Sequence, residues 1–377
     1  MKSEIYLDYS ATTPVSNSVR AKVSEFLDSF ANPSSIHKLG KELREKVGAA
    51  RKKIAESINA KESQIIFTSG GTESNNLAIR GLAKKFPEKR HIITSKIEHP
   101  SVLEPCKSLE KEGYTVDYIG VDSEGIVLID EIKKRIRKDS LLVSIMHANN
   151  EIGTIQPIEE ISKICLEKGV FFHTDAVQSY QKQEIDVEKL GLNLASFSGH
   201  KIGALKGIGF LFVEKPNLLS PILYGGGQEF GLRSGTQNTT GIFSISAALD
   251  EKIPKADILS SREKLIEGIL KIPRTRLNGS RKHRLFNNIN VSFYGIEAEA
   301  LTERLSRDGI YISTGSACAS TKLEESHVLR AIGLDDLYLH GSIRISLGRP
   351  LNDEEIDFIL AKIGKNVEEL RKLSPFN

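Results

Sequence analysis

The sequence has 377 residues, of which 39% are hydrophobic and 27% are charged, and its formal net charge is +3. This length is sufficient for two domains, and the composition is that of an ordinary globular protein. The small net charge argues against nucleic acid or a membrane surface as the main partner. The N-terminal stretch MKSEIYLDYSATTP lacks the apolar segment of a signal peptide, so we expect a cytoplasmic protein.

From about residue 64 to 213, short apolar runs alternate with segments of helical spacing. The predicted strands are 64–67, 91–94, 115–121, 141–146, 169–173, 194–198 and 207–213. The predicted helices between them include SNNLAIRGLAKKF, PSVLEPCKSLEKEG and IEEISKICLEKG. This alternation predicts an α/β fold with a mostly parallel, doubly wound sheet.

After about residue 250 the pattern changes. A long helical stretch near 240–271 precedes two predicted strands, NNINVSFY and SIRISLG, and two predicted helices, 297–307 and 353–372. These elements predict a smaller α+β domain. We place the large domain at residues 15–255, and the small domain at 1–14 and 256–377.

Four predicted strands are each followed by a polar or glycine-bearing cluster: TSGGTESNN, HANNEIG, TDAVQS and GHK. Any one cluster could be ordinary turn chemistry. Because the carboxyl ends of parallel strands meet at one edge of a sheet, four such clusters predict one shared ligand pocket.

The clusters suit three features of one ligand. Gly70, Gly71 and Thr72 open a helix whose backbone N–H groups fit a phosphate, although neither GxxxxGK[ST] nor GxGxxG is present. Asp175 ends a buried strand and needs a cationic partner, such as a protonated pyridine nitrogen. Lys201 could form an imine with an aldehyde. Phosphate, pyridinium and aldehyde together describe pyridoxal 5′-phosphate.

Each candidate also has a simpler interpretation. Lys201 alone would be a solvated surface charge, and His99, which precedes a proline, would be a helix cap or a surface residue. Arg344 alternates with Ile343, Ile345 and Leu347, so it would be a solvated arginine on a half-exposed strand.

The three cysteines form neither a disulfide framework nor a zinc-binding pattern, and no metal site is predicted. Cys106 and Cys165 recur with apolar residues at helical spacing, which predicts small core side chains. Cys318 lies in TGSACAS, a run of small and polar residues typical of a mobile loop that exposes a thiol.

The ordered motifs resemble those of one family over almost the whole chain. They are YLDYSATTP, NPSSIH, FTSGGTESNN, EHPSV, NNEIGTIQP, HTDAVQS, SGHK, GLRSGTQN, STGSACAS and SIRISLGR. The sequence is similar to the cysteine desulfurases of the NifS and IscS group, in the class V aminotransferase superfamily. This resemblance implies the pyridoxal-phosphate fold type I and a homodimer.

The resemblance also implies a role for each candidate residue. Lys201 binds the cofactor aldehyde, Asp175 pairs with the pyridine nitrogen, and His99 stacks on the ring. The other implied cofactor contacts are Asn150 and Gln178 near the ring oxygen, and Gly71, Thr72, Ser198, His200 and, from a second subunit, Thr236 at the phosphate.

By the same resemblance, Arg344 binds the α-carboxylate of L-cysteine with Asn150 nearby, and Cys318 accepts the sulfur as a persulfide, which leaves L-alanine. His99 is a candidate proton acceptor for the thiol. The sulfur acceptor could be an iron–sulfur scaffold, a tRNA-thiolation relay or a cofactor pathway. The spacing from Cys318 to Arg344 resembles the long-loop group represented by IscS.

Two departures and three alternatives accompany this resemblance. HKIGALKGIG lacks a proline common in the family, and the sequence ends at LRKLSPFN without the longer tail that docks a scaffold protein in some relatives. The alternatives are a selenocysteine lyase, another class V enzyme such as an aminotransferase, and a scaffold subunit without activity. TGSACAS argues against a plain aminotransferase, and the presence of Lys201, Asp175 and Cys318 argues against a silent scaffold.

Overall fold

The computed structural model describes residues 4–28, 30–315 and 325–375. The strands are β1 (Ile5–Tyr6), β2 (Ile65–Thr68), β3 (His91–Ser95), β4 (Thr115–Ile119), β5 (Ser140–Ser144), β6 (Phe171–Asp175), β7 (Leu194–Ser198), β8 (Gly209–Val213), β9 (Thr275–Leu277), β10 (Asn288–Phe293), β11 (Ile310–Tyr311), β12 (Ser313–Thr314) and β13 (Ser342–Ser346). The helices are α1 (Asn17–Leu27), α2 (Lys38–Glu56), α3 (Gly71–Lys85), α4 (Pro100–Lys111), α5 (Ile129–Arg135), α6 (Ile158–Lys168), α7 (Thr239–Ala248), α8 (Lys255–Ile269), α9 (Ala298–Arg307), α10 (His327–Ala331), α11 (Asp336–Leu339) and α12 (Asp353–Leu373).

The larger sheet has the strand order β2–β8–β7–β6–β5–β3–β4. β8 is antiparallel to both of its neighbours, and every other neighbouring pair is parallel. β2 therefore runs in the same direction as β7, and the carboxyl ends of β2, β5, β6 and β7 lie at the same edge. The predicted mostly parallel sheet is confirmed.

Both faces of the larger sheet are covered, which explains why its strands read as continuous apolar runs. Phe67 packs into a cluster with Leu43 of α2, whereas Ile66, one position earlier, packs into a cluster with Leu77 of α3. This alternation follows from the two-residue period of a strand, in which successive side chains point to opposite faces.

A second, antiparallel sheet has the order β12–β13–β10–β9. Its apolar cluster includes Ile345 of β13, Leu301 of α9 and Ile359 of α12. Ile5 and Leu7 belong to the same cluster, because β1 pairs in parallel with β11. The domain boundaries near residues 15 and 255 stay a prediction.

The sequence pattern near 240–271 suggested a long helical stretch, but the structure has two helices there. α7 ends at Ala248, and α8 begins at Lys255 with Pro254 as its N-cap. Proline has no backbone N–H to donate, and its ring disfavours the helical conformation at the preceding residue. The interruption at Pro254 is therefore a local effect of the sequence.

Within the described ranges, no helix combines the length and apolar character needed to cross a membrane. The same ranges hold no group of three or more histidine, cysteine, aspartate or glutamate side chains arranged to bind a metal ion.

Candidate active site

A cavity of about 300 Å³ lies at the carboxyl edge of the larger sheet. Its lining includes the predicted site residues Gly71, Thr72, His99, Asn150, Asp175, Gln178, Ser198, His200, Lys201 and Arg344. The structure thus brings the four strand-end clusters together, as the sequence predicts. Thr236 does not line the cavity, and Cys318 lies outside the described residues.

Lys201 enters the cavity from the short turn Gly199–Lys201, directly after β7. Its Nζ donates hydrogen bonds to the carbonyl oxygens of Ser10 at 2.7 Å and Ala11 at 2.6 Å. Both carbonyls belong to the segment between β1 and α1, which therefore crosses the cavity beside the lysine. The motif YLDYSATTP contains this segment, but the sequence alone gave no reason to place it against Lys201.

Two threonines of the same N-terminal segment fix the turn that carries Lys201. Thr13 Oγ1 donates to the His200 carbonyl at 2.9 Å and accepts from the Gly203 backbone N–H at 2.8 Å. Thr12 Oγ1 lies 3.1 Å from His200 Nδ1. Burial first, and then the neighbouring lysine charges, lower the pKa of His200 to about 4. His200 is therefore a neutral hydrogen-bonding group at pH 7.

Asp175 is the last residue of β6 and is 6% exposed. Its Oδ1 accepts from the Val177 backbone N–H at 2.9 Å, and its Oδ2 accepts from Asn75 Nδ2 at 2.7 Å. A carboxylate has about four acceptor sites on its two oxygens, so Asp175 has acceptor capacity left for a ligand in the cavity. Asn75, which is fully buried, was not singled out from the sequence.

His99 is both a helix cap and a wall of the cavity. Its Nδ1 accepts the Ser101 backbone N–H at 3.1 Å at the start of α4, and it lies 2.7 Å from Ser101 Oγ. Burial is the main cause that lowers the pKa of His99, so the ring is neutral at pH 7. The helix-cap interpretation is therefore confirmed, and it does not exclude a role in the cavity.

The N-terminus of α3 also lines the cavity. Gly70 has φ of +154°, a conformation that favours glycine, and it turns the chain from β2 into the helix. A Cβ atom on Gly71 would lie 2.6 Å from Val177 Cγ2, so no larger residue fits without a shift. Backbone N–H groups in the first turn of a helix suit an anion, and Gly71 and Thr72 of this turn line the cavity.

Arg344 is not the solvated arginine of the simpler interpretation, because it is only 1% exposed. β13 is an interior strand of the small sheet, flanked by β12 and β10. Arg344 Nη1 donates to the Asn150 carbonyl at 3.0 Å, and Nη2 pairs with Asp8 Oδ1 at 2.8 Å. Its Nε is buried without a hydrogen-bond partner among the described residues, so the guanidinium has a donor to offer an anionic ligand.

Lys182 is a buried lysine that the sequence analysis missed. It is 7% exposed, and its Nζ donates to the Gln178 carbonyl at 2.9 Å and lies 3.4 Å from Gln178 Oε1. Burial first, and then the charges of Lys201 and Arg344, lower the pKa of Lys182 to about 7. The signal that could have found it is its position, one helical turn after Gln178.

Cys106 and Cys165 are buried, as predicted, at 0% and 1% exposure. Burial raises the pKa of each thiol to about 12, so neither forms a thiolate at neutral pH.

The loop that carries Thr236 is anchored at both ends, although Thr236 itself is exposed. Arg233 Nε pairs with Glu73 Oε1 at 2.9 Å, next to Thr72 in the first turn of α3. Gln237 Nε2 donates to Glu229 Oε1 at 2.5 Å, and Glu229 forms a two-point, buried ion pair with Arg51. The loop is thus held rigidly without contributing to the lining of its own cavity.

Comparison with known proteins identifies the class of this fold and site. The aminotransferase class-V family matches residues 5–359, so the chain belongs to this family. Its large parallel sheet with a lysine after β7 is the architecture of the pyridoxal-phosphate enzymes of fold type I.

Within this family the chain belongs with the cysteine desulfurases. It is 47% identical to cysteine desulfurase IscS of Dictyoglomus turgidum over 100% of this chain and 98% of the relative. A solved NifS-like protein is 38% identical, with a TM-score of 0.91 over 98% of this chain and 100% of the other. A solved structure described as SspA in complex with cysteine is also 38% identical, with a TM-score of 0.84 over 93% and 100%.

The cofactor of this family is pyridoxal 5′-phosphate, and the residues of the cavity fit it. The N-terminus of α3 lines the cavity through Gly71 and Thr72, and backbone N–H groups at a helix N-terminus suit a phosphate. The cavity also has a buried carboxylate, Asp175, and an amine, Lys201, which suit a protonated pyridine nitrogen and an aldehyde. This set of donors and acceptors matches the three polar parts of the cofactor.

Proposed function

We propose that this protein is a pyridoxal-phosphate-dependent cysteine desulfurase that converts L-cysteine to L-alanine and keeps the sulfur as a persulfide on Cys318. The observation that carries the proposal is that Lys201, Asp175 and Arg344 line one cavity. One small molecule in this cavity could therefore contact the Lys201 amine, the Asp175 carboxylate and the Arg344 guanidinium.

The cofactor contacts follow from the lining of the cavity. Pyridoxal 5′-phosphate, when bound, supplies an aldehyde that captures amines and a ring that accepts electrons from the bond at Cα. Lys201 would hold the aldehyde, Asp175 would hold the ring nitrogen in its protonated form, and His99 would lie against the ring. The remaining contacts are Asn150 and Gln178 at the ring oxygen, and Gly71, Thr72, Ser198 and His200 at the phosphate.

Lys201 is also the group that moves the substrate proton. With the cofactor and L-cysteine bound, Lys201 Nζ would be the amine that accepts the proton lost from Cα. The Ser10 and Ala11 carbonyls keep Nζ at the cavity wall.

Arg344 binds the α-carboxylate of the substrate. Its Nη1 and Nη2 donate to the Asn150 carbonyl and to Asp8, which fixes the guanidinium. Its buried Nε–H lacks an acceptor among the described residues. A carboxylate at this position would satisfy that donor through a charge-assisted hydrogen bond.

Cys318 takes the sulfur. Its thiolate attacks the substrate sulfur, a sulfur–sulfur bond forms, and the electrons of the broken carbon–sulfur bond remain on Cβ, which gains a proton to become the methyl group of alanine. Because Cys106 and Cys165 are buried thiols of high pKa, they do not suit this step.

The test separates substrate binding from sulfur transfer. Cys318→Ser should still show the spectral change of the bound cofactor on addition of L-cysteine, but it should not form a persulfide or release alanine catalytically. Arg344→Ala should bind L-cysteine more weakly, by about 1.5–3 kcal/mol for a lost bond to a charged group. Absorbance titration and an alanine-release assay measure both. Normal alanine release by Cys318→Ser without added thiol would contradict the proposal.

We also propose a homodimer in which Thr236 of each subunit reaches the phosphate in the other. The proposal is supported by the rigid anchoring of an exposed loop that makes no contribution to its own cavity. Two large apolar side chains near this loop, Tyr224 and Phe230, are 67% and 56% exposed, which suits a surface that a second subunit covers.

The sulfur acceptor is proposed to be a protein, either an iron–sulfur scaffold or a thiolation protein, and the location to be the cytoplasm. The resemblance to IscS supports an acceptor in iron–sulfur cluster assembly. Isolation of partners from the native cell, with Cys318→Ala as the control, identifies the acceptor.

A further inference from the structure

A chain of short hydrogen bonds connects Asp175 to His99 through two side chains. Asn75 Nδ2 lies 2.7 Å from Asp175 Oδ2 and 2.8 Å from Ser101 Oγ. Ser101 Oγ in turn lies 2.7 Å from His99 Nδ1. All four residues line the cavity, and Asn75 is 0% exposed.

The positions of the protons in this chain follow from the chemistry of its first member. The Asp175 carboxylate only accepts hydrogen bonds, so Asn75 must present its NH₂ group to it. The same NH₂ group donates to Ser101 Oγ, and the serine proton is then directed to His99 Nδ1. That nitrogen must therefore be unprotonated, and the ring proton of neutral His99 is on Nε2.

Two alternatives conflict with the contacts. With the Asn75 amide reversed, Oδ1 would face the Asp175 carboxylate at hydrogen-bond distance, and the two acceptors would repel. With a proton on His99 Nδ1, that proton would face the Ser101 backbone N–H, which points at the same nitrogen from 3.1 Å. The observed arrangement is destabilised in one respect, because Asn75 Oδ1 is buried without a hydrogen-bond partner among the described residues.

We propose that Asn75 and Ser101 are positioning residues that fix His99 as its Nε2–H tautomer, so that His99 meets the cavity as a hydrogen-bond donor and not as a base. The proposal deepens the proposed function and rests on it for the identity of the reaction. The proton acceptor for the Cys318 or substrate thiol must then be another group. This replaces the interpretation of His99 as a proton acceptor for the thiol.

The surroundings of His99 agree with a neutral donor. Among the described residues, the charged and titratable groups that face it are Asp175, Lys201 and His327, and Glu98 precedes it in the chain. Burial is the largest cause and lowers the pKa of His99; Asp175 raises it, and Lys201 and His327 lower it. A neutral imidazole N–H in such a site stabilises an oxygen or sulfur that gains negative charge, and it does so without transferring a proton.

The tautomer is measured directly by nitrogen NMR of the holoenzyme labelled with ¹⁵N-histidine, with His99→Gln used to assign the signals. We expect an unprotonated Nδ1 and a protonated Nε2 in the wild type from pH ~6 to ~8. Ser101→Ala should weaken this tautomer preference, because only the Ser101 backbone N–H then remains as a donor to Nδ1. Asn75→Leu should also weaken it, because the Ser101 proton is then no longer directed to His99. In both variants the pKa of His99 should rise by about one unit. Ser101→Thr, which keeps the hydroxyl, should retain the wild-type pattern.

Asn76→Ala is the matched control, because Asn76 lies on the same helix and its side chain donates only to the Thr72 carbonyl, at 3.0 Å. It should leave the His99 signals unchanged. A protonated Nδ1 in the wild type, or a Ser101→Ala spectrum identical to the wild type, would overturn the proposal. Alanine release by the wild type is assayed in parallel. Absence of alanine release would contradict the proposed function, whereas the NMR signals alone test the tautomer of His99.

Discussion

Glu98 is a carboxyl group that the fold buries completely, one residue before His99. Its Oε1 accepts hydrogen bonds from Ser95 Oγ at 2.6 Å and from the Met146 backbone N–H at 3.0 Å. Burial outweighs these donors and raises the pKa of Glu98 to about 8. The group is therefore protonated at pH 7, and its neutrality avoids an unpaired negative charge beside the cavity.

Glu98→Gln should change how stability depends on pH. Because the folded-state pKa of about 8 exceeds the ordinary 4.5, the stabilisation due to the neutral carboxyl is complete below pH 4.5 and is lost as pH rises through 8. Glutamine cannot ionise, so the stability of the variant relative to the wild type should rise by on the order of 4 kcal/mol between pH ~5 and ~9. Denaturation midpoints at both pH values measure this.

The exposed Glu267→Gln provides the control for Glu98→Gln, and its difference from the wild type should not vary with pH. Parallel pH profiles for wild type and Glu98→Gln would show that burial does not hold the carboxyl neutral.

At the residue level, the sequence could identify side chains whose chemistry is unusual for their position, such as Lys201 after a strand or Asp175 at a strand end. It could not identify Asn75, Ser101 or Lys182, although all three lie in or beside recognised motifs. Their importance depends on contacts between segments that are far apart in the chain, since 100 residues separate Asn75 from Asp175.

At the level of elements, the strands of the larger sheet were predictable because each is an apolar run long enough to cross a buried sheet. β9, β11 and β12 were missed because they contain only two or three residues and have no resolvable period. The burial of Arg344 was not predicted either. Arg344 is covered because the two-residue strand β12 pairs with β13, and so short a strand cannot be recognised in the sequence.

Gly341, directly before β13, and Gly364, inside α12, should respond in opposite ways to substitution by alanine. A Cβ on Gly341 would lie 2.0 Å from the Phe293 carbonyl oxygen, a backbone atom of β10 that cannot move freely. Gly341→Ala should destabilise the protein by on the order of 2 kcal/mol. A Cβ on Gly364, inside α12, meets nothing within 4 Å, so Gly364→Ala should stabilise by about 0.5–1 kcal/mol.

Chemical denaturation of both glycine variants, with the denaturant slope compared to the wild type, checks this pair of predictions. Shifts of the midpoint in the same direction would refute the assignment of close contact at Gly341 and open space at Gly364.

At the level of the whole molecule, a shared site predicts complementation between two inactive variants. When Lys201→Ala and Thr236→Ala are co-expressed, each mixed dimer has one site with both residues intact, so it should show about half of the wild-type activity. Tagging the two chains differently allows the mixed dimer to be purified and assayed for alanine release.

The control pair for the mixed dimer is Lys201→Ala with Asp175→Ala, two residues of the same cavity, which leaves no intact site and should restore nothing. Equal activity for both pairs, or a protein that is monomeric at micromolar concentration, would refute the shared site.

The N-terminal segment that crosses the cavity has a consequence for synthesis of the chain. β1 pairs with β11, Asp8 pairs with Arg344, and the Asp8 backbone bridges to Ser346. The ribosome makes the N-terminus first, so these residues lack their partners until more than 300 further residues have been added. Contacts of such large sequence separation form late in folding. The site is therefore completed only after Arg344 and Ser346 have been synthesised and their strand has folded against the N-terminal segment.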